Sequence, residues 1–228
     1  MNQTISVIGS GTMGTGIAQL AATNGSNVNI IDSSLKALVH SKKNLNSILK
    51  RLVNKEKISD LQYKEIINCI SWTNKIENIS NSQIVFEAIL EDINVKQNLF
   101  SEIETLVSED CILATNTSSL SVTEIGSVLK KNNRFLGIHF FNPVFLMKLV
   151  EIIPLKDLDI GKINFVRSLL ENWGKVVVTA KDTPGFIVNR VARPYYGEAL
   201  RIYEEEIANF ETIDWAMKEF GAFKMGPF

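Results

Sequence analysis

Cysteine is scarce in this sequence: Cys69 and Cys111 are the only two in 228 residues. They form no CxxC and no metal-type spacing. That excludes a disulfide framework and a thiolate metal centre, so no metal is expected and a reducing interior is. Neither sign of charge is in excess: 24 basic side chains face 25 acidic ones, for a net charge of −1. A nucleic-acid binder working through broad electrostatics is therefore not expected, and any anionic ligand must be held by local features. No apolar run approaches the ~20 residues of a membrane span. Strand-like residues begin at Thr4, which leaves no signal peptide, so the expectation is a soluble, cytoplasmic protein. Internal repeats and low-complexity segments are also missing.

What is present is a 45 % hydrophobic composition, enough for a sizeable core. Thr4–Ile8 (TISVI) reads as a buried strand, Gly9–Gly14 as a turn, the stretch to Ala22 as a helix, and Asn27–Ile31 (NVNII) as a second strand ending in Asp32. Residues 35–68 carry leucines at helical spacing, with a break near Ser59-Asp60 where either residue can cap a second helix. This stretch is too long for a plain crossover and reads as a helical excursion from the sheet. Further strands are expected at 84–89, 112–115, 135–140, 149–153 and 176–179, and helices at 92–107, 121–128 and 161–173. Strands alternating with helices imply an α/β fold with a doubly wound, mostly parallel sheet. Composition changes at Asp182-Thr183-Pro184-Gly185, after which residues 186–219 read as helix. The expected domains are thus 1–182, a nucleotide-binding unit, and 183–228, the start of a helical second domain that looks truncated. A piece that short rarely builds its own core.

GSGTMG (Gly9, Gly11, Gly14) matches GxGxxG between a strand and a helix, and Asp32 follows at the end of the next strand. Gly9 permits a tight turn, Gly11 lets the backbone approach a pyrophosphate, and Gly14 lets helix and strand pack closely. The helix N-terminus then offers free N–H groups to phosphate. Asp32 can accept from both hydroxyls of an adenosine ribose and would repel a 2′-phosphate, so NAD is favoured over NADP.

GIHFFNPVFLMKLVE places one of only two histidines, His139, at the carboxyl end of a late strand, where open α/β sheets bind ligands. Asn142-Pro143 breaks the strand. If the chain folds back near residue 145, Glu151 comes opposite His139. A glutamate among Leu149, Val150, Ile152 and Ile153 is costly to bury unless paired. A carboxylate beside the imidazole would orient it and stabilise its cation, making His139 a base near neutral pH. The plain alternatives are a core histidine bonded to a carbonyl and a glutamate on a solvated edge. Polar Asn116 and Ser118 crowd the end of the strand at 112–115, where the alternative is a capped loop. For Glu91, Lys96 and Asn189, spacing alone favours solvent-facing helix positions.

VIGSGTMGTGIAQ, VFEAILEDINVKQNLF, ATNTSSLSVTEI, FLGIHFFNPVFLMKLVEII, KDTPGFIVNRV and GAFKMGPF together resemble the L-3-hydroxyacyl-CoA dehydrogenase family, especially its 3-hydroxybutyryl-CoA dehydrogenases. The resemblance implies NAD as cofactor, held by the turn of Gly9, Gly11, Thr12, Met13 and Gly14 with Asp32, and an acyl-CoA thioester as substrate. It implies His139 as general base, Glu151 as its partner, and Ser118 and Asn189 as residues holding the substrate's 3-oxygen and reacting centre. Glu91, Lys96 and Asn116 fall where the family contacts the nicotinamide end. The lysine-rich excursion falls where it contacts CoA, with Lys55 a candidate phosphate contact. A homodimer is implied if the second domain is complete. Phe145-Leu146 departs from many relatives, which narrows the acyl site or repacks the turn. Two other readings keep the same fold: a dehydrogenase of a free hydroxy or sugar acid, and a non-catalytic NAD-binding remnant.

Overall fold

The computed structural model describes residues 3–228. It divides into two compact units, Met1–Asp182 and Thr183–Phe228. The first is built on eight strands: β1 (Thr4–Ile8), β2 (Asn27–Ile31), β3 (Ile70–Thr73), β4 (Ile84–Glu87), β5 (Ile112–Thr115), β6 (Phe135–Phe140), β7 (Leu149–Pro154) and β8 (Val176–Thr179). Six helices join them: α1 (Thr12–Thr23), α2 (Leu35–Asn54), α3 (Asp60–Asn68), α4 (Ile93–Ile103), α5 (Val122–Gly126) and α6 (Ile160–Asn172).

The strands form one sheet in the order β3-β2-β1-β4-β5-β6-β7-β8. Chain direction across the sheet reverses between β1 and β4, so a crevice opens above the carboxyl ends of those two strands. All pairings are parallel except β6–β7. Continuously buried, largely apolar runs such as ISVI in β1 and IVF in β4 suit a sheet covered on both faces.

The excursion is two helices. Ser34 caps α2 by accepting from the Ala37 amide at 3.2 Å. Leu38, Leu45 and Leu49 give α2 a buried stripe. Ser59 caps α3, and its backbone amide donates back to Gln62, so of the two residues at the break Ser59 is the cap.

Three expectations need correction. The pattern did not show β3: ISWT is four residues long with Trp72 and Thr73 only half-buried, so an edge strand has no apolar run to announce it. The strand expected over 84–89 stops at Glu87, where β4 gives way to the loop that begins the cavity described below. The helical pattern over 186–219 is two helices, α7 (Val188–Glu204) and α8 (Phe210–Glu219). Between them Glu206 takes φ +57°, which no helix continues, and Asn209 caps α8 through the Thr212 amide.

Candidate active site

The first turn is built by steric exclusion. Gly9 has φ +101°, and a Cβ there would lie 2.3 Å from the Ala88 carbonyl oxygen. A Cβ on Gly14 would lie 1.8 Å from the Gly9 oxygen, so α1 starts hard against the exit of β1. Gly11 differs: a Cβ there would meet nothing within 4 Å. The protein's own packing does not demand glycine at that position, and its absence of a side chain leaves the backbone open to close approach by a pyrophosphate.

The residues also fit a dinucleotide in their donors. Gly11 is the N-cap of α1 and supplies no side-chain cap, unlike Ser34 on α2 or Asp92 on α4. The first amides of α1 thus keep their capacity for phosphate. Asp32 is held by three donors: the Ser10 amide at 2.8 Å, the Ser10 hydroxyl at 2.7 Å and the Ser34 amide at 2.9 Å. Its half-exposed carboxylate retains acceptor capacity for ribose hydroxyls. We expect Gly11→Ala to leave the melting temperature unchanged or slightly raised, because Gly11 sits at φ −68°, which alanine adopts freely. The same change should weaken NADH binding by about tenfold or more. Equal affinity in a fluorescence titration would mean that nothing lies over Gly11.

Across the crevice, a cavity of about 360 Å³ is lined by Met13 of that turn, Ala88, Ile89, Glu91, Lys96, Asn116, Ser118 and His139, with Phe140, Phe141 and Asn142. The β6–β7 register pairs His139 with Glu151, and Nδ1 lies 2.7 Å from the Glu151 Oε2. Leu136, Ile138, Phe140, Val150 and Ile152 alternate onto the main core, which turns His139 and Glu151 to the other face together. Glu151 is fully buried, so it is not an edge glutamate in water. The buried carboxylate at this distance fixes the orientation of the imidazole ring through Nδ1.

Lys96 is not on the solvated helix face that spacing favoured, whereas Glu91, just before α4, keeps an exposed side chain. Lys96 is 1 % exposed, and its ammonium lies 2.5 Å from Glu87 and 3.3 Å from Glu91. The aliphatic stem packs inside while two carboxylates meet the charge, which helical spacing cannot reveal. Glu91 in turn accepts from the Thr117 hydroxyl, the Ser118 amide at 3.0 Å and the Ser119 hydroxyl at 3.2 Å. Burial alone would raise the Glu91 carboxyl, but the Thr117 and Ser118 bonds and the Lys96 charge hold it below its ordinary value. Asn116 Oδ1 accepts from the Phe140 amide at 3.0 Å, leaving its Nδ2 as donor. Sequence reasoning missed Glu87, Phe141 and Asn142. The last two stand beside His139 in HFFNP, so their position was the available signal.

The wall is braced from behind. Lys175 donates to the carbonyls of Val144 (2.6 Å) and Met147 (2.7 Å), fixing the β6–β7 connection, and burial lowers its pKa. Phe145 and Leu146 are exposed on that connection and do not line the cavity. Asp182 accepts from Ser121, Val122 and Thr123 at the start of α5. Burial would raise its carboxyl, yet these bonds hold it below the usual carboxylate range. Lys55 lies exposed at the C-terminal end of α2, outside the cavity lining, and Asn189 lies in the first turn of α7 in the second unit. No group of three or more histidine, cysteine or acidic side chains suited to a metal occurs among the described residues. No helix among them is long and apolar enough to cross a membrane.

Residues 4–183 match the family model of the 3-hydroxyacyl-CoA dehydrogenase NAD binding domain, and residues 185–228 match that of the C-terminal domain. The chain belongs to the 3-hydroxyacyl-CoA dehydrogenase family. Within that family it is 40 % identical to the mitochondrial hydroxyacyl-coenzyme A dehydrogenase of Mus musculus, over 98 % of this chain and 73 % of that one. It is also 40 % identical to a 3-hydroxybutyryl-CoA dehydrogenase of Clostridioides difficile, over 98 % and 79 %. The crystal structure of (S)-3-hydroxybutyryl-CoA dehydrogenase from Ralstonia eutropha superposes with a TM-score of 0.95 at 36 % identity, covering all of this chain and 80 % of that one. In this 3-hydroxyacyl-CoA dehydrogenase family member, the glycine turn, Asp32 and the cavity therefore belong to an NAD-binding domain.

Proposed function

We propose that this protein catalyses the reversible, NAD-dependent oxidation of an L-3-hydroxyacyl-CoA to the 3-ketoacyl-CoA, with His139 as the general base and Glu151 as its partner. The observation that carries this reading is the His139–Glu151 contact of 2.7 Å beside a cavity that also reaches Met13 of the nucleotide turn. NAD, when bound, supplies the hydride acceptor or donor. His139 Nε2 takes the proton of the 3-hydroxyl as hydride leaves C3, and returns it to the ketone oxygen in the reverse direction. Glu151 stabilises the imidazolium formed in that exchange. Ser118 and Asn189 hold the 3-oxygen and the reacting centre, and Lys55 contacts a CoA phosphate. Gly9, Gly11, Thr12, Met13, Gly14 and Asp32 hold the adenosine and pyrophosphate portion. Glu91, Lys96 and Asn116 hold the nicotinamide end, since a dinucleotide that straddles the switch point extends over the carboxyl ends of β4 to β6.

The same reading includes work in the cytoplasm and, if the second domain is complete, assembly as a homodimer. In support of the second, the helical unit exposes Val191, Tyr196, Phe223 and Met225, an apolar surface of a kind that proteins cover. Mixing the protein with NADH and acetoacetyl-CoA should consume NADH, and free acetoacetate should be a poor substitute. A folded sample that binds NADH but turns over no short or long 3-ketoacyl-CoA would defeat the reading.

A further inference from the structure

Glu91 and Lys96 of the cavity lining join Glu87 behind them in a charge cluster that proton transfer at His139 does not use; Glu87 and Lys96 are buried and Glu91 is part-exposed. Glu87 ends β4 and is fully buried. Its Oε1 accepts from Lys96 Nζ at 2.5 Å and from the Ile89 amide at 2.8 Å, and its Oε2 accepts from the Thr115 hydroxyl at 2.6 Å. Lys96 also pairs with Glu91. Every partner of Glu87 is a donor, and the Thr115 oxygen itself accepts from the Thr117 amide, which is the pattern of an ionised carboxylate. One cation therefore faces two carboxylates, and one negative charge is left over. The other titratable groups lining the cavity are only His139, with Glu151 behind it.

The placement of this charge matters because the two forms of the cofactor differ there. Oxidised nicotinamide carries a positive charge on its ring and reduced nicotinamide carries none. Glu87 and Lys96 are buried, and beside them a fixed charge discriminates between the two forms better than it would in water, although the exposure of Glu91 screens part of the effect. Neutral Asn116 and the backbone of Ala88 and Ile89 supply no compensating charge.

We propose that Glu87 is a positioning residue that sets the cofactor preference of the site: by holding Lys96 against Glu91 it leaves the nicotinamide wall one charge negative, which favours NAD⁺ over NADH. This rests on the dehydrogenase reading above. Glu87 also fixes the Ile89 amide, and Lys96 and Glu91 extend its grip to the Thr117–Ser119 loop, so a purely structural role must be separated from a charge role.

The test is the ratio of the dissociation constants for NAD⁺ and NADH, measured on the full chain by NADH fluorescence titration and NAD⁺ competition at pH 8. Glu87→Gln makes the Glu87–Lys96–Glu91 cluster neutral, leaves the His139–Glu151 pair as it is, and should raise the ratio by roughly three- to tenfold. The double variant Glu87→Gln/Lys96→Gln restores one net negative charge and should bring the ratio back to within about twofold of wild type, because Coulomb terms follow net charge rather than residue identity. A lost hydrogen-bond network would show no such recovery. An unchanged ratio in Glu87→Gln, or no recovery in the double variant, overturns the proposal. If Glu87→Gln does not fold, Lys96→Gln alone carries the test in the opposite sense: the ratio should fall, and an unchanged ratio overturns the proposal. Wild-type protein that binds neither form would sink the dehydrogenase reading and this proposal with it, whereas binding with ratios that do not follow charge sinks this proposal alone.

Discussion

Replacing His139 by glutamine lowers kcat for acetoacetyl-CoA reduction by roughly 10²- to 10⁴-fold, the usual range for a lost general acid–base group, and leaves NADH affinity within about threefold. Glutamine keeps a hydrogen-bonding side chain of moderate size beside Glu151, so the β6–β7 pairing is retained. What disappears is the imidazole, the proposed proton acceptor. The nucleotide turn and Asp32 are on other strands and lose no contact. Steady-state kinetics with parallel NADH titration separates the outcomes. A variant that keeps kcat within tenfold of wild type would show that the base is another residue.

The second large effect is at Gly14. With a Cβ 1.8 Å from the Gly9 carbonyl oxygen and 3.3 Å from Val7, alanine there must push α1 away from the end of β1. The contact is with main chain, which cannot swing aside as a side-chain terminus can. Overpacking of this kind costs about 1–3 kcal/mol, or roughly 2–12 °C in melting temperature for a chain of this size. The displacement also moves the first amides of α1, which the proposed function sets against the phosphates, so NADH affinity should fall by about tenfold or more. Differential scanning fluorimetry and fluorescence titration measure both. Gly11→Ala is the internal comparison, since it should lose affinity and keep its melting temperature; Gly14→Ala with both properties intact would show that the turn is not built as described.

The parts of this fold that could be read from the sequence are those set by local chain geometry. GSGTMG and Asp32 announce themselves because only glycine fits where Gly9 and Gly14 lie, and because the acid ends the very next strand. The meeting of His139 and Glu151 was legible for a related reason: a fold-back near residue 145 aligns residues equidistant from it, and the pleat does the rest. Glu87 was hidden. Within IVFEAI it looks like one more strand position, and its partner Lys96 arrives nine residues later from the buried side of α4. Helical spacing reports which positions face inward, but it cannot tell a buried lysine from an exposed one until the opposing carboxylates are in place. The edge strand β3 and the break at Glu206 escaped for want of any apolar pattern.

The single antiparallel pairing of the sheet has a kinetic corollary. His139 and Glu151 are twelve residues apart, whereas the Thr115 hydroxyl reaches Glu87 across twenty-eight and Ser10 reaches Asp32 across twenty-two. Chain-closure entropy rises with the logarithm of that separation, so the hairpin is the least costly of these three encounters. The imidazole thereby acquires its orienting acid through a neighbourly contact, while the cofactor platform has to wait for crossovers through whole helices.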